Sequence, residues 1–274
     1  MKLTLLTAAA LAALVAGAAQ AQSAADWAGP YLGAHVGYGS QPDDDDETIQ
    51  FDRDLDGDFG DTVTTSGGAN AFSPGFCGGR AEGPTPGDGC EDDENGATYG
   101  VRAGWDFAVS EGWVLGGVIE YDAADLTDSV SAFSTTPARY TMTRELDSLW
   151  AARIRGGYAF GDLLGYATVG VVRGEVDSSF STSNGVNTFV ESGEDDASGW
   201  QLGGGLEKRF GTGWSLGVEY LYTSLEDDSY RVRAQGPAPA TNPFILGNPN
   251  GTDFRRSDDD FDFHAVRLTL AWRF

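Results

Sequence analysis

The chain has 274 residues, 42 acidic and 17 basic side chains for a net charge of −25, 39 glycines, two cysteines and two histidines. That balance argues against binding nucleic acid and against adsorption to anionic lipid. The length fits one large domain or two ordinary ones.

Met1 to Ala21 opens with Lys2, continues as a Leu/Ala-rich run to about Ala18 and closes on Ala19-Gln20-Ala21, a small-x-small cleavage site. This is the pattern of a secretory signal removed after Ala21. Its apolar core is shorter than the roughly 20 residues a spanning helix needs. No later stretch approaches a transmembrane helix, so any membrane insertion must use strands. Export also places Cys77 and Cys90 in an oxidising compartment, where a pair in one loop closes a disulfide. On the chain-entropy model such a bridge constrains the loop by roughly 3 kcal/mol. The Cys-x12-Cys spacing has no histidine near it, which makes zinc a poor reading.

The first predicted strand is Tyr31–Gly39, with Leu32, Ala34, Val36 and Tyr38 on one face. Residues 41–97 then lose all periodicity and form a long acidic loop. Alternation returns over Thr98–Phe107, Trp113–Tyr121, Leu149–Phe160, Leu163–Gly174, Trp200–Phe210 and Trp214–Leu225. In Leu163–Gly174 the two faces are hard to separate; Leu164, Tyr166 and Val172 are placed outward and Arg173 inward. The last strand lies within Phe261–Phe274, where Val266, Leu268, Leu270, Trp272 and Phe274 share one parity against Arg267, Thr269, Ala271 and Arg273. A period of two is a strand signal.

Three tight turns join six of these strands, and the first and last make eight. The remaining connections, 41–97, 123–145, 177–196 and 226–260, are long and carry −23 of the −25 net charge. An even strand number, tight turns on one side, long loops on the other and aromatics beside the turns describe an all-β fold: an eight-stranded antiparallel up-and-down transmembrane β-barrel over residues 22–274, with short periplasmic turns and long extracellular loops. A soluble up-and-down barrel would invert the pattern, with its apolar face inward.

The opening Trp27-Ala28-Gly29-Pro30-Tyr31-Leu32-Gly33, the hairpins at Phe107 to Gly116 and Phe210 to Gly217, and the ending Val266 to Phe274 together resemble the small eight-stranded outer-membrane β-barrel proteins. The nearest group is the porin-family surface proteins of alphaproteobacteria, within the OmpA/OmpX-like superfamily. The resemblance covers all eight strands and none of the loops. It implies a Gram-negative outer-membrane location and a terminal aromatic, here Phe274, read by the barrel-assembly machinery. The loop 41–97 is longer and more acidic than the family pattern, so loop functions do not carry over.

Eight strands leave an interior just wide enough for side chains. The inward parity supplies Arg102, Glu120, Arg153, Arg155, Glu207, Glu219 and Arg267, and charges there must pair or be hydrated. A salt-bridge network that plugs the lumen is the first reading and a narrow diffusion channel the second. In the first loop, Asp52-x-Asp54-x-Asp56-Gly57-Asp58 repeats the opening of a calcium loop, but its twelfth position is Val63 instead of glutamate. A calcium-binding, adhesin-like role therefore rests on half a motif, and diffuse divalent-cation binding through Asp43 to Glu47, Glu91 to Glu94 and Asp258 to Asp260 is the alternative. His35 and His264 fall on neighbouring strands but opposite faces, so no hydrolase site with a histidine base forms, and the chain is read as no enzyme and without a cofactor. The expected role is a monomer in outer-membrane lipid that supports the envelope and meets an extracellular ligand or divalent cations through its acidic loops.

Overall fold

Side chains that alternate between lipid and lumen build long strands. The structure, a computed structural model, describes residues 24–42 and 46–274, and in it eight such strands close into a ring. The signal expected over Met1 to Ala21 and the aspartates Asp43 to Asp45 lie outside the described residues. The strands are β1 (Gly29–Ser40), β2 (Gly96–Ser110), β3 (Trp113–Ser134), β4 (Ala138–Phe160), β5 (Leu163–Thr182), β6 (Asp196–Phe210), β7 (Trp214–Glu226) and β8 (Asp260–Arg273). Each pairs antiparallel with its neighbours in sequence. β8 closes on β1 with Arg273 opposite Tyr31 and Ala265 opposite Gly39. No barrel edge is left with unpaired backbone in hydrocarbon. Gly112 and Gly161 take positive φ of 78° and 67° at two tight turns, a region glycine enters without strain.

The outward parity is apolar around the barrel: Val101, Ile119, Trp150, Ile154, Val171, Leu202 and Leu268 are all exposed. β5 departs from the expectation. Leu164, Tyr166 and Val172 are buried inside, while Arg173 is outside and pairs with Asp196 at 2.7 Å. Both parities of β5 are apolar, so its phase is set by partners: Leu164 packs with Trp27, and the Tyr166 hydroxyl donates to Glu219 Oε1 at 2.9 Å.

The described residues of the extracellular segments form further strands, which corrects the reading of four loops. Residues 123–145 are mostly strand: β3 and β4 run on to a short turn at 135–137. Beyond the barrel, Thr188–Ser192, Arg231–Gln235, Thr252–Arg256 and Ile49–Asp52 form a four-stranded antiparallel sheet. Gly75–Gly78 adds to the free side of β3 at residues 130–133. The sheet folds over Val130, Ala132, Tyr140 and Met142 and buries Ile49, Phe51, Phe72, Val232, Phe244 and Phe254 against them. Phe51 and Phe72 stack at 4.4 Å, and Phe254 meets Phe51 edge-on at 5.0 Å. The result is an aromatic-cored head. Cys77 and Cys90 are bridged, Cα atoms 6.6 Å apart, on the flank of this head.

Candidate functional site

The lumen is filled in layers. At the periplasmic mouth a 3-10 turn, Ala24–Trp27, tucks the fully buried Trp27 beneath Val114, Ala159 and Leu164. The Arg273 guanidinium lies 5.1 Å from the Trp27 ring centroid, and its Nη1 donates to the Trp27 carbonyl at 2.7 Å.

Above it, Asp106 and Glu207 share two arginines. Arg155 bonds Asp106 and, at 2.6 Å, Glu207, while Arg273 reaches Asp106 at 2.7 Å and Glu207 at 3.5 Å. The Arg155 guanidinium also lies over Tyr31 and Tyr166.

The next layer centres on Glu120. Its carboxylate meets Arg102 at 2.8 Å, Arg153 at 2.7 Å and Arg267 at 3.1 Å. Glu219 meets Arg102 at 2.6 Å, Asp122 meets Arg267 at 2.9 Å, and His35 Nε2 lies 2.6 Å from Asp122. Gln201 links Arg153 to Thr223. All seven expected interior charges are therefore buried in the lumen and ion-paired. Asp106, Asp122, His35 and Arg273 join them from the same inward parities, which is the signal that would have named them. Arg267 forms its ion pairs with Glu120 and Asp122.

The third layer is apolar. Leu126, Leu146, Leu149, Leu225, Phe261 and Phe263 are packed together and fully buried. Above that, Arg256 binds Glu47 at 2.5 Å and Asp128 at 2.6 Å, and Arg144 binds Asp128 at 2.6 Å. Arg256 also donates to the Asp128 carbonyl, and Arg144 donates to the Asp260 carbonyl at 3.0 Å. Arg256, on the head sheet, fastens the head to the barrel extension through Asp128, and Arg144 of β4 ties that carboxylate to the start of β8.

Titration at this junction follows from burial. Burial disfavours the charged form of Asp128, but Arg256 and Arg144 hold its carboxyl below the usual range. Burial pushes Glu47 up despite Arg256. Asp93 accepts a hydrogen bond from Ser129 N at 2.8 Å, yet burial and the nearby Asp128 raise it to about 6. The folded head thus holds the Asp93 proton more tightly than the unfolded chain, whose carboxyl titrates near pH 4. Ionised Asp93 costs stability above pH 6, and the cost fades as pH falls to about 4. Asp93→Asn is therefore expected to stabilise the head by about 1 kcal/mol at pH 7.5, discounted for partial exposure, and by nothing at pH 4. Hydrogen exchange of the head amides at the two pH values checks it.

The calcium half-motif forms a compact turn. Asp52 accepts from Leu55 N at 2.6 Å and Gly57 N at 2.8 Å, and Asp56 accepts from Asp58 N at 2.8 Å. The carboxylates that converge within 4.8 Å belong to Asp52, Asp54 and Asp61. Asp56 and Asp58 stand outside that group, because Asp56 caps the Asp58 amide and Asp58 caps Gly60.

The model of the outer membrane protein beta-barrel domain matches residues 9–274. The chain belongs to this family. It is 27% identical over 227 residues to the 31 kDa outer-membrane immunogenic protein of Brucella melitensis biotype 1, covering 78% of this chain and 85% of the relative. The counterpart in Brucella suis biovar 1 matches to the same extent. Among solved structures, the outer membrane protein OprG from Pseudomonas aeruginosa aligns over 90% of this chain and 97% of its own at 11% identity and a TM-score of 0.48. As a member of the outer-membrane barrel family, the protein resides in the outer membrane, which makes the exposed apolar belt its lipid-facing surface.

Proposed function

We propose that the protein is a non-conducting barrel that supports the outer membrane mechanically and holds a folded, acid-edged head outside the cell as an interaction surface. The carrying observation is the stack inside the lumen: Trp27, two ion-paired layers drawing on all eight strands, then an apolar layer closed by Phe261 and Phe263. An ion path needs a continuous polar lining, and dry apolar packing blocks it. In planar bilayers the purified protein is expected to give no stable single-channel steps; large, long-lived steps at neutral pH would sink the closed-lumen reading.

The head supports the surface role because its aromatic core makes it a folded body that presents fixed shapes to a partner. The Brucella relatives are immunogenic outer-membrane proteins, and a head displayed in this way is the part of the present chain that antibodies would meet. The terminal residue fits delivery to the assembly machinery. Phe274 is exposed, its ring lies tilted at 60° to Trp272 with centroids 4.3 Å apart, and its backbone N donates to Pro30 O. Deleting Phe274 is expected to lower the yield of assembled barrel in cells. The assembled fraction should keep its stability to within about 0.5 kcal/mol. Heat-modifiable mobility on a gel measures the first effect and denaturant unfolding the second.

A further inference from the structure

Beyond the expected leader the chain contains one lysine, Lys208. Every guanidinium in the lumen has a carboxylate, whereas the Lys208 ammonium has no hydrogen bond or ion pair among the described residues. Lys208 occupies the outward parity of β6, opposite Leu163 of β5 and Leu216 of β7, two residues before Phe210 where the strand reaches its periplasmic turn. An unpaired charge on a lipid-facing wall is unfavourable unless it reaches the interface or finds a counter-ion.

A groove of about 150 Å³ lies beside this lysine on the outer surface. Leu206, Leu216, Val218 and Leu268 line it, with Lys208 and Phe210 toward the turn. An apolar trough that ends at an unpaired cation, at headgroup depth, has the shape and charge of one ligand class. A phospholipid lays an acyl chain along the trough and sets its phosphate on the ammonium. Most of the molecule's acidic charge is gathered in the segments at the opposite end, and of the acidic residues at this end Asp162 stands beside Leu163 at the turn between β4 and β5.

We propose that this groove is a binding site for one anionic phospholipid of the periplasmic leaflet, held by Lys208 at its phosphate and by Leu206, Leu216, Val218 and Leu268 at its chain. The site rests on the outer-membrane placement of the barrel and is independent of whether the lumen conducts, so a conductance result bears on the closed lumen alone.

The test is native mass spectrometry of the detergent-solubilised full chain, titrated with phosphatidylglycerol and, separately, with phosphatidylcholine of the same chains. The expected result is a single phosphatidylglycerol adduct held about tenfold more tightly than phosphatidylcholine, because the choline cation of the latter offsets the phosphate charge that Lys208 meets. Lys208→Gln should erase that preference. Leu216→Trp, which crowds the trough and keeps the cation, should weaken the adduct of either lipid. Lys208→Gln removes a charge from the lipid face and so leaves assembly intact, as heat-modifiable mobility will verify; it decides the question even if Leu216→Trp assembles poorly. Equal retention of both lipids, or an unchanged phosphatidylglycerol adduct in Lys208→Gln, means ordinary annular lipid and overturns the proposal.

Discussion

Glu120→Ala is expected to destabilise the barrel by about 3–5 kcal/mol, the usual cost of removing one partner from a buried ion pair. Glu120 is the carboxylate that three arginines share. Without it Arg102 still has Glu219 at 2.6 Å and Arg267 still has Asp122 at 2.9 Å. Arg153 is left with the Gln201 amide oxygen and with Glu219 at 3.6 Å, both weaker partners for a fully buried guanidinium. Arg267→Ala should cost less, because Glu120 keeps two arginines and Asp122 keeps His35. Glu120→Gln should fall between, since its one amide oxygen can still accept from Arg153 and Arg267, while the amide nitrogen turns a donor toward Arg102 and the charge is lost. Reversible denaturant unfolding from lipid vesicles orders the three variants. If Glu120→Ala unfolds with wild type, the shared carboxylate is not what holds these arginines in place.

The outer surface was readable from the sequence because lipid applies one rule to all eight strands. An outward residue at Trp150, Leu202 or Leu268 sees the same hydrocarbon, whatever its neighbours. The same alternation assigns the seven interior charges to the other parity, whose side chains are buried. Only part of their pairing was readable: Arg102 stands across from Glu120 within one hairpin, but the rest depends on register and shear around the ring, and Arg267 stands directly across from Glu219 yet forms its ion pairs with Glu120 and Asp122. β5 failed for a different reason, as both of its parities are apolar and only Trp27, Glu219 and their neighbours select one. Trp27 appeared only as part of an opening motif, although its ring closes the lumen.

The head was lost because the phase of the alternation breaks. The register shifts past Asp147 in β4, so Leu149 and Ala151 face inward below it while Leu146, Met142 and Tyr140 do so above. A period-two pattern read along the sequence cannot follow that slip. The small sheet is harder still. It assembles four- and five-residue strands from three segments, and Ile49–Asp52 pairs with Thr252–Arg256 some 200 residues away. Acidic composition pointed to solvated loops, but the apolar residues that matter, Phe51, Phe72, Val232, Phe244 and Phe254, are scattered singly among the aspartates and glycines and converge only in three dimensions.

That convergence makes Phe72→Ala the substitution with the largest expected effect on the head. The Phe72 ring is 3% exposed and lies 4.4 Å from Phe51, 5.3 Å from Tyr140 and 6.0 Å from Phe244. Truncating a buried phenylalanine costs about 3–5 kcal/mol, and a sheet of four short strands has little else to resist it. The aromatic core is a separate cluster from the apolar layer of the lumen, with the Arg256, Glu47, Asp128 and Arg144 network between them. The two bodies should therefore yield separately, as local units of different stability do. In Phe72→Ala, hydrogen exchange and protease cleavage are expected to rise over 46–72 and 230–256, while heat-modifiable mobility and protection of β6, β7 and β8 below Leu225 stay at wild-type level. If barrel and head lose protection together, the arginine junction couples them into one cooperative unit, and the head cannot be altered without the wall that carries it.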